Sequence, residues 1–263
     1  MEVIFIGTGC GVPSTKRSSP SILIRVDKVL GGSVGGFAEG KRADKDNLLF
    51  DTGPGSIRKL LEAGFTYLDI GYILYTHFHV DHIADFAPFI FASKYSLNLR
   101  EEDLHVIGPK GIKEFYHKLV NLHGEQIQGL HYNVRLIEAT KFSTPDWKIS
   151  TANLPHTSES IGYRLVDKSG KVIVYSGDTE YSPHLIELAY GADLLILECS
   201  FPEPTPGHLY PKLAAKVAME AGAKWLVLTH LYPVCDSYDI ITPIKAEFGG
   251  KITIAQDLMR IKV

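Results

Sequence analysis

Several apolar runs of this chain stop on a side chain that can bind a metal. "YILYTH" ends on His77, "WLVLTH" ends on His230, and "VIVYSGD" turns at Asp178; His156 in "NLPHTSES" directly follows another strand-type run. A fold that honours this pattern sets the C-terminal tips of several strands side by side, where loops beyond a sheet edge meet solvent and ligands. Each residue has a mundane alternative when taken alone: a capping role for Asp178, a surface position for either histidine. Their common placement argues against reading them one at a time.

The densest stretch is "THFHVDH", residues 76–82. His77 and His79 are two positions apart, so an extended segment aims both side chains to one side. Asp81 and His82 fall at the start of the helix that follows and address a second point. By chance, a chain of this composition shows HxHxDH in roughly one case per thousand.

Seven groups suit two cations. His77, His79 and His156 form one ligand set, Asp81, His82 and His230 the other, and the Asp178 carboxylate can give one oxygen to each. Imidazole and carboxylate without thiolate favour Zn²⁺, with Mn²⁺ or Fe²⁺ as alternatives. Two such ions about 3.5–4 Å apart share a water and lower its pKa, producing a hydroxide nucleophile near neutrality.

The remainder of the chain bounds the answer. Its 263 residues suffice for a sizeable core, read as one domain over 1–263, and no window is long and apolar enough to span a membrane. The start, "MEVIFIGTG", lacks the basic region and cleavage site of a signal peptide and reads as a strand from residue 2. A net charge of −3 argues against a broad nucleic-acid-binding surface. Cys10, Cys199 and Cys235 form no CxxC pair, so they read as packing residues in a reducing, cytoplasmic protein.

Short β-type runs alternate with segments of helical spacing, among them "SIRKLLEAG", "DHIADFAPFIFASKY" and "PKLAAKVAMEAGA". The first half reads as hairpin-like strands with few helices, the second as a more regular alternation. Together they predict an α/β protein with two sheets packed face to face under helices. No repeat of fixed period occurs. The Gly-rich segment 31–47 reads as a hairpin loop, with a substrate lid as the alternative.

"GTGCGVP", "LLFDTGPG", "THFHVDH", "LPH", "SGDT" and "LTH" follow one another from residue 7 to residue 230 in the order of the metallo-β-lactamase superfamily, which this chain resembles. The resemblance implies a four-layer αββα sandwich of two mixed sheets, with a dinuclear site at one edge built from the seven residues above. It also implies hydrolysis rather than redox chemistry, because His79 stands where diiron members carry an acidic ligand.

"ECSFPEPTPGHLYPKLAAKVAMEAGAKWLVLTH" resembles the ribonuclease Z and phosphodiesterase branch. By that resemblance His208 contacts the scissile phosphate and pairs with Glu198; the alternatives are a surface histidine and a carboxylate that orients a metal-binding histidine. Asp81 has a second candidate role as proton acceptor from the attacking water, and Asp51 is expected to support the site through hydrogen bonds. Ribonuclease Z enzymes typically carry a tRNA-gripping arm, often between the "GYR" and "SGD" strands, yet here that interval is only "LVDKSGKVIVY". Without the arm, many phosphate contacts are lost. The expectation is therefore a small cyclic or linear phosphodiester attacked by a metal-bridging hydroxide. RNA is the less favoured substrate, with ribonuclease Z-type tRNA 3′ processing or hydrolysis of a lactone, thioester or sulfate ester as alternatives. A non-catalytic metal-binding protein is disfavoured because no ligand is missing. The branch resemblance alone implies a homodimer.

Overall fold

The computed structural model describes residues 1–28, 45–138 and 140–263. In β1 (Glu2–Gly7), Val3 and Phe5 face one way and Ile4 and Ile6 the other, and none has exposed surface. A strand apolar on both faces must lie between two layers. Val3 and Phe5 enter a core shared with Ile173, Ile196 and Val227 of the opposite sheet, whereas Ile4 and Ile6 pack with Leu60, Phe86, Phe89 and Ile112 from helices.

The first sheet continues through β2 (Ser21–Asp27), β3 (Lys45–Phe50), β4 (Tyr72–Leu74), β5 (Leu104–Gly108) and β6 (Val134–Glu138). The second comprises β7 (Lys141–Ser143), β8 (Trp147–Asn153), β9 (Ile161–Asp167), β10 (Val172–Tyr175), β11 (Leu194–Glu198), β12 (Trp225–Thr229) and β13 (Lys251–Ile254). The chain then returns as β14 (Arg260–Lys262), antiparallel to β1. Both sheets share one plan. β1–β2–β3 and β8–β9–β10 are antiparallel, whereas β3 to β6 and β10 to β13 are parallel. The halves thus repeat a topology although the sequence shows no repeat.

Helices close both outer faces. Against the first sheet lie α1 (Ser56–Glu62), α2 (Val80–Ile83), α3 (Phe86–Tyr95) and α4 (Ile112–His123). Against the second lie α5 (Pro183–Ala189), α6 (Pro211–Glu220) and α7 (Ile241–Lys245). The result is the expected four-layer αββα sandwich. Buried Ala214, Ala215 and Ala218 let α6 approach its sheet closely, and Pro at N1 starts both α5 and α6.

Three details depart from the sequence reading. The first half is not poor in helices: its described residues hold four α-helices, because parallel pairing from β3 to β6 requires crossovers. The segment "DHIADFAPFIFASKY" is two helices, α2 and α3. Between them Asp85 turns toward α1, accepting from Ile57 N at 3.1 Å and Ser56 Oγ at 3.3 Å, and its own N–H donates to Thr52 O. The three-residue strands β7 and β14 are too short to show a period in sequence. Of the 31–47 segment, residues 45–47 belong to β3, and residues 31–44 lie outside the described residues, as does its reading as loop or lid.

Candidate metal centre

β4 and β12 are followed within three residues by His77 and His230, and β10 by Asp178. The structure brings these tips together, and all seven sequence-predicted groups converge. Ligand atoms of His77, His79, His156 and Asp178 lie within 4.8 Å of one another, as do those of Asp81, His82 and His230. Asp178 spans the two groups: Oδ1 is 3.3 Å from both His82 Nε2 and His230 Nε2, and Oδ2 is 3.7 Å from His156 Nε2. His79 turns Nδ1 inward, 3.2 Å from His156 Nε2.

The orientation of the rings tests whether cations fit. Among the described residues, His77 Nε2, His82 Nε2, His230 Nε2 and Asp178 Oδ1 are buried and make no hydrogen bond. Orphaned buried polar atoms are costly unless something else occupies the space between them. The opposite nitrogens are all engaged. His82 Nδ1 donates to Asp51 Oδ2 at 2.8 Å, and His156 Nδ1 to Gly207 O at 2.8 Å. The Thr76 hydroxyl donates to Asp51 and so accepts from His77 Nδ1 at 3.0 Å; the Ser200 hydroxyl donates to Glu198 and accepts from His230 Nδ1 at 2.8 Å. With Nδ1 bonded outward in each of these rings, each Nε2 is turned inward. The donor set fits two divalent cations.

Electrostatics agrees. Burial pushes the His77 imidazole down to about 2, helped by the charge of His82, so it stays a neutral ligand. Burial would raise Asp81 and Asp178, but the neighbouring histidine rings override it. His230 and His82 hold Asp81 at about 2 and Asp178 well below the usual carboxylate range. Burial opposes charge on His82 too, yet Asp178 and Asp51 raise its pKa well above the ordinary value. The pocket stabilises negative oxygen.

Beside this cluster His208 Nδ1 donates to Glu198 Oε1 at 2.9 Å. Burial lowers the His208 pKa, but the hydrogen bond and charge of Glu198 win and raise it. His208 also approaches Asp178 and His230 closely enough to face the same space. Glu198, with no exposed surface, meets both sequence alternatives at once: it pairs with His208 directly and reaches His230 through Ser200. Asp51 behaves as expected of a supporting residue, accepting also from Thr76 N at 2.9 Å and Tyr175 OH at 3.0 Å.

Sequence reasoning missed Thr76, Ser200 and the Gly207 carbonyl, which hold three of the histidines. Hydroxyls beside histidines are too common to signal a role. Gly53 and Gly177 lay in quoted motifs without a stated purpose. A Cβ on Gly53 would sit 2.0 Å from Asp81 O, and one on Gly177 (φ +59°) would sit 2.6 Å from Thr76 Cβ. Both glycines let backbone approach the ligand-bearing segment closely. Two non-glycine residues, Asp51 and His230, also take positive φ, 55° and 56°, at strand tips beside the cluster.

The other sequence expectations have simple outcomes. All three cysteines are buried and unpaired. Among the described residues no helix is long and apolar enough to cross a membrane. β9 passes to β10 through a tight hairpin, with Gly170 N and Asp167 O hydrogen-bonded at 2.9 Å, so no arm interrupts them.

Known proteins of similar sequence and shape accord with this geometry. Residues 46–231 match the family described as Beta-lactamase superfamily domain. Ribonuclease Z of Lactococcus lactis subsp. lactis is 28% identical over 291 aligned positions, covering 88% of this chain and 89% of that protein. Those positions outnumber the 263 residues here, so the relative carries segments without counterpart in this chain. The metallo-beta-lactamase fold protein YhfI from Bacillus subtilis superposes with a TM-score of 0.78 at 26% identity, covering 99% of this chain and 98% of that one. Human tRNase Z, short form (ELAC1), gives 0.75 at 25%, covering 100% and 99%. With the sandwich, the ligand-type cluster at the strand tips and these relatives in agreement, the chain belongs to the beta-lactamase superfamily and is a metal-dependent hydrolase of the metallo-β-lactamase fold.

Proposed function

We propose that this protein hydrolyses phosphodiesters, cyclic or small and linear, using two zinc ions and one domain that spans residues 1–263. The observation that carries the reading is the His208–Glu198 pair set against the inward-facing ligand atoms. His77, His79 and His156 would hold one ion, Asp81, His82 and His230 the other, with Asp178 between them. When bound, the cations supply Lewis acidity, offsetting phosphoryl charge and making water nucleophilic near neutral pH.

The remaining chemistry falls to side chains. Asp81, half-open and held anionic, can accept a proton from the attacking water. His208, kept protonated by Glu198, suits stabilisation of phosphoryl oxygens and proton donation to the departing alkoxide. Glu198 acts through His208 and, by way of Ser200, fixes the His230 ring. Three unpaired buried cysteines suit a cytoplasmic setting. A homodimer remains part of the proposal on family resemblance.

The relatives named ribonuclease Z and tRNase Z favour a second reading, tRNA 3′ processing. Against it stand the net charge of −3, the tight β9–β10 hairpin and the longer relative. The deciding experiment is a panel of cyclic and linear phosphodiesters, a precursor tRNA, and lactone, thioester and sulfate esters, each with added Zn²⁺ or Mn²⁺. Turnover of bis-p-nitrophenyl phosphate or a cyclic nucleotide, well above that of the RNA, supports the first reading; the reverse order replaces it with the second.

A further inference from the structure

Phe201 and Tyr232 form a stacked pair beside the metal centre, with ring centroids 4.2 Å apart and planes 29° from parallel. Neither ring belongs to any of the three apolar cores, and both are only half-buried. Aromatic side chains of this size normally contribute to a core or an interface. Here the pair is held at the catalytic edge by its backbone. The β11–β12 pairing runs on past both strands, through Cys199 N to Thr229 O at 3.0 Å and Tyr232 N to Ser200 O at 3.2 Å. The Cys235 thiol adds a contact to Ser200 O at 3.2 Å. A hydrogen-bonded ladder therefore sets Phe201 three residues beyond Glu198 and Tyr232 two beyond His230.

The pair faces the reacting groups. Phe201 lies 5.6 Å from the His208 ring, and Tyr232 lies 6.3 Å from His208 and 6.2 Å from His230. Among the described residues the Tyr232 hydroxyl makes no hydrogen bond, so the ring is placed by its backbone and by ring contacts alone. A phosphoryl group between His208 and the ligand cluster would bring its ester substituent within reach of these rings.

We propose that Phe201 and Tyr232 form a stacking subsite for a planar aromatic substituent of the substrate, a nucleobase or an aryl ring, and thereby set substrate preference. This subsite takes its phosphoryl anchor from the phosphodiesterase reading above. Stacking tolerates any π-face, so it selects aromatic over aliphatic esters without reading a base sequence.

Calorimetric binding of product-like monoesters to the zinc-loaded protein tests the subsite without requiring turnover. Wild type is expected to bind phenyl phosphate or adenosine 5′-monophosphate at least about fivefold more tightly than methyl phosphate, the lower end of aromatic–base stacking. Phe201→Leu and Tyr232→Leu should erase that margin while methyl phosphate binding stays unchanged, and Tyr232→Phe should keep it. A margin for the nucleotide alone identifies a nucleobase; a margin for both identifies any aryl group. Absence of a margin in wild type, or its survival in folded, metal-replete Leu variants, overturns the subsite. Hydrolysis of bis-p-nitrophenyl phosphate, measured in parallel, separates the two readings. Activity without a margin sinks the subsite alone, and a margin without activity sinks the phosphodiesterase alone.

Discussion

Asp51 Oδ2 accepts from His82 Nδ1 at 2.8 Å, and the same carboxylate holds His77 through the Thr76 hydroxyl. One buried acid thus orients a ligand in each of the two proposed metal sets. Asp51→Ala frees both rings. Metal affinity should fall by about 10- to 100-fold, the usual cost of losing a group that orients a ligand. Zinc content after equilibrium dialysis measures this; unchanged zinc content would show that the rings are fixed by other contacts.

The His208–Glu198 pair sets an alkaline limit. His208 has a raised pKa, so its proton persists to higher pH than on a free imidazole and is lost as pH rises through that raised value. Activity should fall on that limb. Glu198→Gln should shift the limb toward lower pH, because the partner charge that holds the proton is gone. His208→Ala should cost about 10²–10⁴-fold in kcat and flatten the limb. A pH profile of kcat for the three proteins checks this.

Metal uptake should release protons. Without cations His82 is held protonated by Asp178 and Asp51, with a pKa well above the ordinary value. A divalent ion at Nε2 displaces that proton, so apparent affinity rises with pH. Zinc titration in a weakly buffered dye solution near pH 7 should show acid release, and His82→Ala should reduce it.

Chelation should also destabilise the fold. Free zinc at about a hundred times its dissociation constant adds about 2.7 kcal/mol per site through mass action. Thermal midpoints with and without a chelator report the loss. In His77→Ala or Asp178→Ala, which remove proposed ligands, the chelator-dependent difference should shrink.

Gly53 is fixed by contact rather than by conformation. Its Cβ would lie 2.0 Å from Asp81 O, so Gly53→Ala must displace the ligand segment, at about 1–3 kcal/mol. Gly71, with nothing within 4 Å of such a Cβ, should accept alanine without loss of stability. Urea midpoints for the two variants compare them directly.

Strand positions and the ligand-type residues that cluster were legible in the sequence because residue type and apolar runs are local. The apolar runs that became β1, β5 and β12 are recognisable by their length and composition, and His77, His230 and Asp178 sit at fixed offsets from strand ends. The split of residues 81–95 into α2 and α3 was not legible. Periodicity continues through Asp85, and the helix breaks where Asp85 contacts the distant Thr52, Ser56 and Ile57.

The sequence by itself determined which residues have metal-ligand chemistry and that they lie at the tips of apolar strands, since apolar runs and residue type need no partner to be read. The tertiary structure alone decided which ring nitrogen faces inward, how Asp178 divides its oxygens, and that Phe201 and Tyr232 stand beside His208. Those relations depend on hydrogen bonds and packing between segments far apart in the chain, which no local pattern encodes.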